Sequence, residues 1–547
     1  MRRMKRIAMI AGLGMMTLTA VYAQQNNTEL ERTVVVENQY NPTVMDASKI
    51  NVLPKVEEPS VPKSNIDYVT SLRPVTGWIY QNMSLMPREQ MTDAVYRGWL
   101  RAGYGTHGNV DVKAGYEGYV SAKDRLGVAA SLDGWNGKLA GLNEEDWTSR
   151  LYDTRLGLDY CHSFRKMDLT LGGYCRSQVF NYLYPFLADT PAGKQHQSMA
   201  NARVGLASTD LNLPVQFSGE IGVNYFKQKY PAGMEAGSET DFYVKGDFLK
   251  PFMGQHFGLA FDLNVCSYAM GEMKNSTSLE MNPYYRFEYG DWRIRVGAHL
   301  DWWSGMESRM NFSPDLNVEL IFQDSYVLYA KAGGGRENKS LMELADVTPY
   351  WVLAQPYLLP TYVSLDAQLG LKASPANGWW FNLVGGYQVR KDDLLFGVAD
   401  EKGLMAAFAQ ADSKLAFASA ELKYDYKDWF DCALKATYYH WDLSEPKVQE
   451  EQAKQMALAL KPELEVNAEV GMKPMDGLRV NVGYEYVKRC EGLYDPVSNL
   501  YLGADYALMK NLSVFGRVQN LMNQEYVRAD AYPAQKMNAL VGVSLRF

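Results

Sequence analysis

Histidines, cysteines and acidic residues are the side chains of this sequence that could perform chemistry. His299 and Asp301 lie two residues apart in WRIRVGAHLDWW, so in a strand both side chains point to one face, where a histidine and a carboxylate could act as a general-base pair. No nucleophile is assigned beside them. We therefore expect the pair to hydrogen-bond within a polar surface, and we expect no enzymatic activity.

Metal and disulfide chemistry is not indicated either. None of the six histidines stands in an HxH or HxxxH arrangement, and the cysteines are too scattered for a zinc site. An odd total of five cysteines does not favour a disulfide framework. These cysteines are Cys161, Cys175, Cys266, Cys432 and Cys490. No cofactor is expected.

The elements that carry these residues are strands with strict alternation. Segments 292–302, 463–472 and 478–486 each alternate apolar residues with charged or small ones over about ten positions. One face suits lipid and the other suits water, as a transmembrane β-strand requires. The charges predicted to face the lumen are Arg286, Glu288, Arg293, Arg295, Glu463, Glu465, Glu469 and Arg479.

Short turns set the number of strands. Ten are predicted, at 123–125, 165–166, 211–214, 250–255, 290–291, 323–325, 375–378, 427–428, 474–477 and 510–511. They join twenty strands, and an opening strand (98–107) and a closing strand (537–547) bring the total to twenty-two. Longer connections at the opposite rim include 336–361, 391–413 and 441–458. The predicted fold is all-β, a 22-stranded antiparallel transmembrane barrel over residues 97–547.

The lipid or lumen facing of each side chain predicts which residues pair across a turn. If Tyr289 and Trp292 both face lipid across a two-residue turn, Glu288 lies opposite Arg293 in the lumen and Arg286 lies opposite Arg295. The same parity, with the turn at 165–166, points Cys161 inward and Cys175 outward, so these two cannot form a disulfide.

Composition and the N-terminus restrict the class of protein. The net charge of -8 argues against nucleic acid as a partner, and the mean hydropathy is -0.30. Beyond the N-terminus no run of about 18 apolar residues predicts a spanning helix. Residues 1–23 read as a signal peptide, with basic residues up to Arg6 followed by an apolar run. We therefore expect the protein to be exported and its barrel to be surrounded by the lipids of the outer membrane.

The C-terminal stretch NLSVFGRVQNLMNQEYVRADAYPAQKMNALVGVSLRF resembles the end of TonB-dependent receptors, through Asn520-Leu521, the N-x-E-Y start at Asn523 and the final Phe547. The segment 364–396 also resembles paired strands of that family. The resemblance implies a 22-stranded barrel and uptake of a solute across the outer membrane. Phe547 resembles the insertion signal that the barrel-assembly machinery reads in outer-membrane proteins.

The N-terminal segment departs from that family. The segment 24–96 is short and contains six prolines, and no Gly-rich V-L-R-G type segment of a plug is found, so a reduced plug or an extended periplasmic or lumenal tether is expected. Within it, Glu31, Arg32, Thr33, Val34, Val35 and Val36 resemble the box that binds TonB by strand addition. A plain strand or tether is the alternative.

A wide barrel without a full plug needs something to occlude its lumen. The candidates are segment 41–67, the unusually apolar loop VTPYWVLAQPYLLPTY at 347–362, or a separate lipoprotein lid or barrel subunit. The loop is expected to fold inward or to dock a partner, although it could equally continue the aromatic girdle. Solute transport is the first expected function, and a plug-less structural or assembly subunit with a periplasmic or lipoprotein partner is the alternative.

Overall fold

The chain forms a closed β-barrel. The computed structural model describes residues 96–547 except 141–145, 183–193, 211, 230–236, 270, 272, 324, 352, 354–356, 399–405, 444–450 and 529–531. In this part of the chain, 22 strands pair antiparallel in chain order, and β1 pairs with β22, from Trp99 opposite Arg546 to Gly105 opposite Leu540. The predicted fold and strand number are confirmed. Residues 1–23, the segment from 24 to 95 and the box Glu31–Val36 lie outside the described residues.

The first half of the barrel contains eleven strands of 8 to 18 residues. They are β1 (Gly98–Gly105), β2 (Val110–Tyr119), β3 (Asp124–Ala140), β4 (Asp146–Ser163), β5 (Met167–Phe180), β6 (Gln195–Ser208), β7 (Gln216–Gln228), β8 (Gly237–Phe252), β9 (Gln255–Ala269), β10 (Ser276–Tyr289) and β11 (Trp292–Ser304).

The second half continues the same meander. Its strands are β12 (Ser308–Phe322), β13 (Tyr326–Glu337), β14 (Thr361–Ala373), β15 (Trp379–Val398), β16 (Ala406–Tyr426), β17 (Phe430–Leu443), β18 (Pro462–Met475), β19 (Leu478–Arg489), β20 (Val497–Met509), β21 (Leu512–Gln519) and β22 (Asn538–Arg546).

Helices occur only in connections of the described chain. Helix α1 (Leu341–Val347) lies between β13 and β14, and α2 (Glu451–Leu458) lies between β17 and β18. Short 3₁₀ turns occupy Thr106–Gly108 and Cys490–Gly492. Among the described residues, no helix is long and apolar enough to cross a membrane.

All ten predicted short turns fall between consecutive strands at one rim, which is the rim where both ends of the barrel sequence meet. At Gly290-Asp291 the register is the predicted one, with Tyr289 opposite Trp292 and Glu288 opposite Arg293. The φ of Gly290 is +57°, a conformation that glycine adopts without strain. Because short turns are periplasmic in outer-membrane barrels, the opposite rim is extracellular.

The predicted long loop 391–413 is wrong. β15 continues to Val398 and β16 begins at Ala406, so residues 399–405 alone connect them. A β-bulge between Arg390 and Asp393 shifts the alternation, and beyond it Leu394, Leu395 and Phe396 are all buried. A strand covered on both faces loses the period of two that predicts it.

The barrel wall has one apolar and one polar face. Outward residues such as Ile221, Leu369 and Val541 expose 50%, 61% and 68% of their surface, which is the exposure expected of side chains that contact lipid. The other face carries charged and amide side chains. The register confirms that Cys161 shares a face with Asp159 and that Cys175 faces the other way; all five cysteines are free thiols.

Candidate functional site

The connection between β13 and β14, residues 338–360, crosses the extracellular mouth of the barrel; it is called the mouth loop below. It packs against side chains of β6 and β7 and also against side chains of β15 and β16, which lie far round the barrel. A segment that contacts both walls must run through the enclosed interior. Of the alternatives left open for residues 347–362, the described residues of that range follow the inward one.

Helix α1 begins the mouth loop and is capped from two directions. The Ser340 hydroxyl accepts a hydrogen bond from the Glu343 N–H at 3.0 Å, a conventional N-cap. The Glu239 carboxylate of β8 accepts a second one from the Leu341 N–H at 2.6 Å. Glu239 is 1% exposed, so this wall residue is satisfied only while the helix is docked.

The apolar core of the mouth loop bridges the barrel. Its members, all buried, are Leu341, Met342, Leu344, Ala345, Trp351 and Leu358 from the loop, with Met199, Phe226, Leu394, Phe396, Phe408, Ala459 and Leu460 around them. Trp351 is fully buried, and its ring centroid lies 6.3 Å from that of Phe226. A core of this size excludes water from the centre of the mouth.

A smaller aromatic cluster ties the mouth loop to the connection before β22. The rings of Tyr350 and Tyr532 are stacked with centroids 3.7 Å apart, and Phe180 of β5 meets Tyr350 edge to face at 5.4 Å. Edge-to-face and offset-stacked pairs stabilise beyond their area burial by about 1 kcal/mol. Two further parts of the rim are thereby joined to the loop.

The end of the mouth loop is fixed at the β15 bulge. The Thr361 hydroxyl donates to the Asp392 carbonyl oxygen at 2.9 Å, and the Gln410 amide donates to the same oxygen at 3.1 Å. Asp392 has a φ of +49°, an uncommon conformation for a residue with a side chain. Its carboxylate also pairs with Arg309 Nη1 at 2.5 Å. The bulge therefore turns the Asp392 carbonyl toward Thr361, the residue that follows the mouth loop.

An ion pair joins the helix to β5. Arg176 holds Asp153 of β4 through Nε at 2.8 Å and pairs with Asp346 of α1 through Nη1. The Asp346 side chain is 52% exposed, but desolvation within the mouth raises the pKa of its carboxyl, and the charges of Arg176 and Arg155 offset only part of that rise. Arg176 thus links the wall to the loop through two carboxylates.

A second charged group lies where the loop leaves β13. Lys339 Nζ contacts Glu337 at 3.0 Å and Glu343 at 3.3 Å. Burial lowers the pKa of Lys339, but the carboxylates of Glu343 and Glu337 outweigh it, and the net pKa is raised. Arg390 Nη2 approaches Glu337 at 3.6 Å. These pairs fix the direction in which the loop enters the lumen.

The predicted inward charges lie outside the mouth loop, on the barrel wall. Arg295 Nε bonds Asp315 at 2.8 Å, Arg479 Nη2 bonds Asp431 at 2.7 Å, and Glu465 accepts from the Tyr439 hydroxyl at 3.1 Å. Glu469 of β18 pairs with Gly483 of β19. Arg286, Glu288 and Arg293 lie on β10 and β11 close to the short turn at 290–291.

Glu463 lies at a β-bulge between Pro462 and Leu464. Its carboxylate pairs at 2.7 Å with Lys488, a residue on the outward face with Tyr486. The predicted lumenal position of Glu463 is therefore wrong, because the bulge shifts the alternation at the start of β18. His299 and Asp301 share a face, but His299 Nδ1 contacts Glu280 Oε1 of β10 at 2.5 Å, and His299 Nε2 lies 3.1 Å from the Asn282 amide nitrogen. The wall is a hydrogen-bonded polar surface.

Phe547 closes the seam. Its carbonyl oxygen accepts hydrogen bonds from the Arg97 and Gly98 N–H groups at 2.9 and 2.8 Å, and its own N–H donates to Gly98 O at 2.8 Å. Its ring covers Gly98 so closely that a Cβ added there would stand 2.4 Å from it. Among the described residues, no group of three or more histidines, cysteines and carboxylates could hold a metal ion.

Sequence reasoning missed Glu239, Arg176 and Asp346. Each reads as one more charge in a strand or loop, and Arg176 and Asp346 are 170 residues apart in the chain. The available signal was the capping pattern Ser340 to Glu343 ahead of apolar residues, which predicts a helix start within the loop.

No family model and no curated protein matches this sequence. Solved structures do match. The FrpB iron transporter from Neisseria meningitidis (F5-1 variant, apoprotein form) aligns with a TM-score of 0.66 at 11% identity, covering 83% of this chain and 81% of that one.

The copper transporter OprC gives a TM-score of 0.61 at 11% identity over 82% of both chains. The siderophore receptor PirA from Pseudomonas aeruginosa gives 0.58 at 12% identity, over 82% of this chain and 79% of that one. The fold is that of the TonB-dependent receptor barrel. It is a fold of the bacterial outer membrane, which places this barrel there and confirms the predicted localisation.

Proposed function

We propose that the protein is a non-enzymatic outer-membrane channel for solute uptake whose extracellular mouth is opened and closed by the mouth loop. The observation that carries the proposal is the apolar loop core that joins β6–β7 to β15–β16 across an otherwise polar, water-compatible interior. A lumen lined with charge conducts polar solutes only when such a barrier moves. The similarity in fold to transporters of iron and copper and to a siderophore receptor supports transport as the class of activity.

A covalent latch tests the gate. Leu353 of the loop and Phe408 of β16 form an isolated parallel bridge, which places their backbones within disulfide range. In a chain whose five native cysteines are replaced, Leu353→Cys with Phe408→Cys should conduct in planar bilayers when reduced and fall silent when oxidised. Each single-cysteine variant serves as the control. Replacing 341–358 by a short Gly-Ser linker should give a large, stable conductance.

The second candidate function is a structural or assembly subunit. The full burial of Trp351 and Leu341 favours it, because a permanently docked loop makes the barrel a closed scaffold. In that case the latched and reduced chains would be equally silent, while the linker variant would conduct. Silence of the linker variant as well would reject the channel.

We also propose that Glu31–Val36 binds the periplasmic domain of TonB by strand addition. The support is the sequence pattern, an acidic-basic pair followed by β-branched residues. A peptide covering 27–40 should bind that domain, and Val34→Pro should abolish binding because proline lacks the N–H that an added strand needs. Val34→Ile is the matched control. Equal binding of the proline peptide would indicate a plain tether.

A further inference from the structure

The inner wall of β10, β11 and β12 carries buried hydrogen-bond acceptors without partners near the extracellular ends of these strands. They belong to Asp301, Asn282 and Ser313, which together are called the acceptor pocket below. These residues are 2%, 5% and 0% exposed. In the part of the chain that the structure describes, both Asp301 carboxylate oxygens, Asn282 Oδ1 and Ser313 Oγ have no hydrogen-bond partner. Buried polar atoms are almost always paired, so four unpaired ones on neighbouring strands indicate a binding site.

The strand register places the acceptor pocket within a small area. His299 lies opposite Ser313, and Asp301 is the next inward residue of β11. The Asn282 amide nitrogen lies 3.1 Å from His299 Nε2 and donates to Asp315 at 3.0 Å, which leaves the Asn282 oxygen as the free acceptor. Three strands and two inward positions on each measure about 10 by 7 Å, the size of one small functional group with its hydrogen bonds.

The end of β13 covers the acceptor pocket from the side of the lumen. A β-bulge lies between Gly333 and Gly335, and the φ of Gly335 is +117°, a conformation that favours glycine. A Cβ added to Gly335 would stand 3.5 Å from His299 Nδ1, so the backbone of β13 reaches across β12 to β11. The next residue, Arg336, donates through Nη1 to the Trp302 carbonyl oxygen at 2.9 Å. Because the mouth loop begins at residue 338, its movement changes access to the pocket.

Neighbouring groups approach the acceptor pocket without pairing with it. The Arg336 backbone N–H lies near the Asp301 carboxylate but does not reach hydrogen-bond geometry. The Tyr362 hydroxyl lies near Ser313 in the same way. Glu280, directly opposite Asp301, adds a second negative charge. A buried carboxylate that has neither a cation nor a donor is strongly destabilised, so the pocket lacks a positively charged donor.

We propose that the acceptor pocket binds the protonated primary amine of a solute that enters the lumen. The free atoms define the ligand, because the Asp301 oxygens and Asn282 Oδ1 only accept hydrogen bonds and the Ser313 hydroxyl can accept one. An ammonium group offers three N–H donors and a positive charge. Arg336 Nε, which also lacks a partner, remains for an oxygen of the same solute. The ligand is therefore a primary amine with a neighbouring hydroxyl.

A metal ion does not meet the requirements of the acceptor pocket. Among the described residues, no three histidine, cysteine or carboxylate side chains are placed so that they could hold one. An ammonium group needs only one carboxylate and neutral acceptors, which Asp301, Asn282 and Ser313 supply. The assignment rests on the proposed function, because the solute reaches the pocket through the mouth of the barrel.

Binding is measured by isothermal titration calorimetry on the full chain in detergent micelles at pH 7. The probe is 3-amino-1,2-propanediol, a protonated primary amine beside a hydroxyl. Glycerol has a hydroxyl in place of the amine, and the trimethylammonium analogue of the probe keeps the charge but has no N–H. Both comparison compounds should bind at least about tenfold more weakly than the probe, because each lacks part of what the free acceptors need.

Two variants test the residues of the acceptor pocket. Asp301→Asn should weaken binding of the probe about tenfold, and Ser313→Ala about threefold. Asp431→Asn is the matched control, since it removes a lumenal carboxylate that already pairs with Arg479 at 2.7 Å, and it should bind the probe like the wild type. Heat-modifiable gel mobility reports that each variant is folded. The proposal is overturned if Asp301→Asn binds normally, if glycerol binds as well as the probe, or if Asp431→Asn loses binding to the same extent.

The chain in which a Gly-Ser linker replaces 341–358 separates this proposal from the gate. Its acceptor pocket is complete, and access does not depend on movement of the mouth loop. Binding of the probe to the linker chain but not to the wild type would support the pocket and contradict a loop that opens. Absence of binding in both chains would overturn the pocket and leave the gate to its own conductance test.

Discussion

Single polar residues of the inner wall depend on the mouth loop for their hydrogen-bond partners. Glu239 is almost fully buried, and its carboxylate accepts the Leu341 N–H. A buried carboxylate that loses such a donor is destabilised by several kcal/mol unless water replaces it. Opening of the loop must therefore admit water to the wall, which couples solvation of the lumen to the position of one helix.

Trp351 is the residue whose truncation should most weaken closure. Trp351→Ala removes a fully buried indole from the core that joins the two walls, and we expect the docked loop to lose about 3–5 kcal/mol. The variant should show frequent openings in planar bilayers and faster hydrogen exchange in α1. Trp429→Ala, at an exposed turn of the short-turn rim, is the control. Unchanged conductance and exchange would show that the loop does not close the channel.

Acidification should favour the closed loop through Asp346. Desolvation within the barrel mouth raises the pKa of this carboxyl above its ordinary value although its side chain is 52% exposed, so docking takes up protons. The resulting stabilisation is complete below the ordinary pKa and is lost as pH rises through the raised value. Open probability should accordingly be lower at pH 4.5 than at pH 7.

Two variants test whether Asp346 or a neighbouring group causes the pH response. The charged groups around Asp346 are Arg176, Arg155 and Asp153 on the wall and Glu239 at the helix start. Asp346→Asn should flatten this part of the pH response while keeping the loop docked, because the amide copies the protonated acid. Glu239→Gln tests the other acid. If Asp346→Asn retains the full pH response, the carboxyl is not its source.

Among the elements, the strands could be predicted and the interior of the mouth could not. A strand between lipid and water is specified by its own alternation, which is why the turns and the register at 290–291 are correct. β15 beyond Arg390 was missed because it is covered on both faces. The apolar character of the mouth loop indicated that it folds inward, yet its partners Phe226 and Phe408 depend on barrel closure, which no local pattern encodes.

The hairpin β10–β11 offers a direct test of register. Glu288 and Arg293 face each other one pair above the turn, as a non-hydrogen-bonded pair with close Cα atoms. In a chain without native cysteines, Glu288→Cys with Arg293→Cys should oxidise readily after folding. Glu288→Cys with Ile294→Cys is the control, because its side chains lie on opposite faces. Equal oxidation of the two variants would contradict the register.

At the scale of the whole molecule, closure of the barrel depends on a short pairing between β1 and β22. β1 and β22 are among the shortest strands, and Phe547 extends their pairing by three backbone hydrogen bonds with Arg97 and Gly98. Open sheet edges are not tolerated in a bilayer, so the seam decides whether the barrel exists as a spanning structure. The absence of side-chain bulk at Gly98 lets the Phe547 ring lie against the strand.

Deleting Phe547 should therefore reduce assembly. The truncated chain loses three backbone hydrogen bonds, about 3 kcal/mol at the seam, together with the aromatic terminus that resembles an insertion signal. The measurement is the fraction of folded, heat-modifiable barrel in outer membranes. Gly98→Val separates the two roles, since it displaces the ring from the seam and leaves the terminal residue in place. If the valine variant assembles normally while the truncation fails, recognition of the terminus dominates. If both fail alike, seam closure dominates. Normal assembly of the truncated chain would show that neither recognition nor seam closure depends on Phe547.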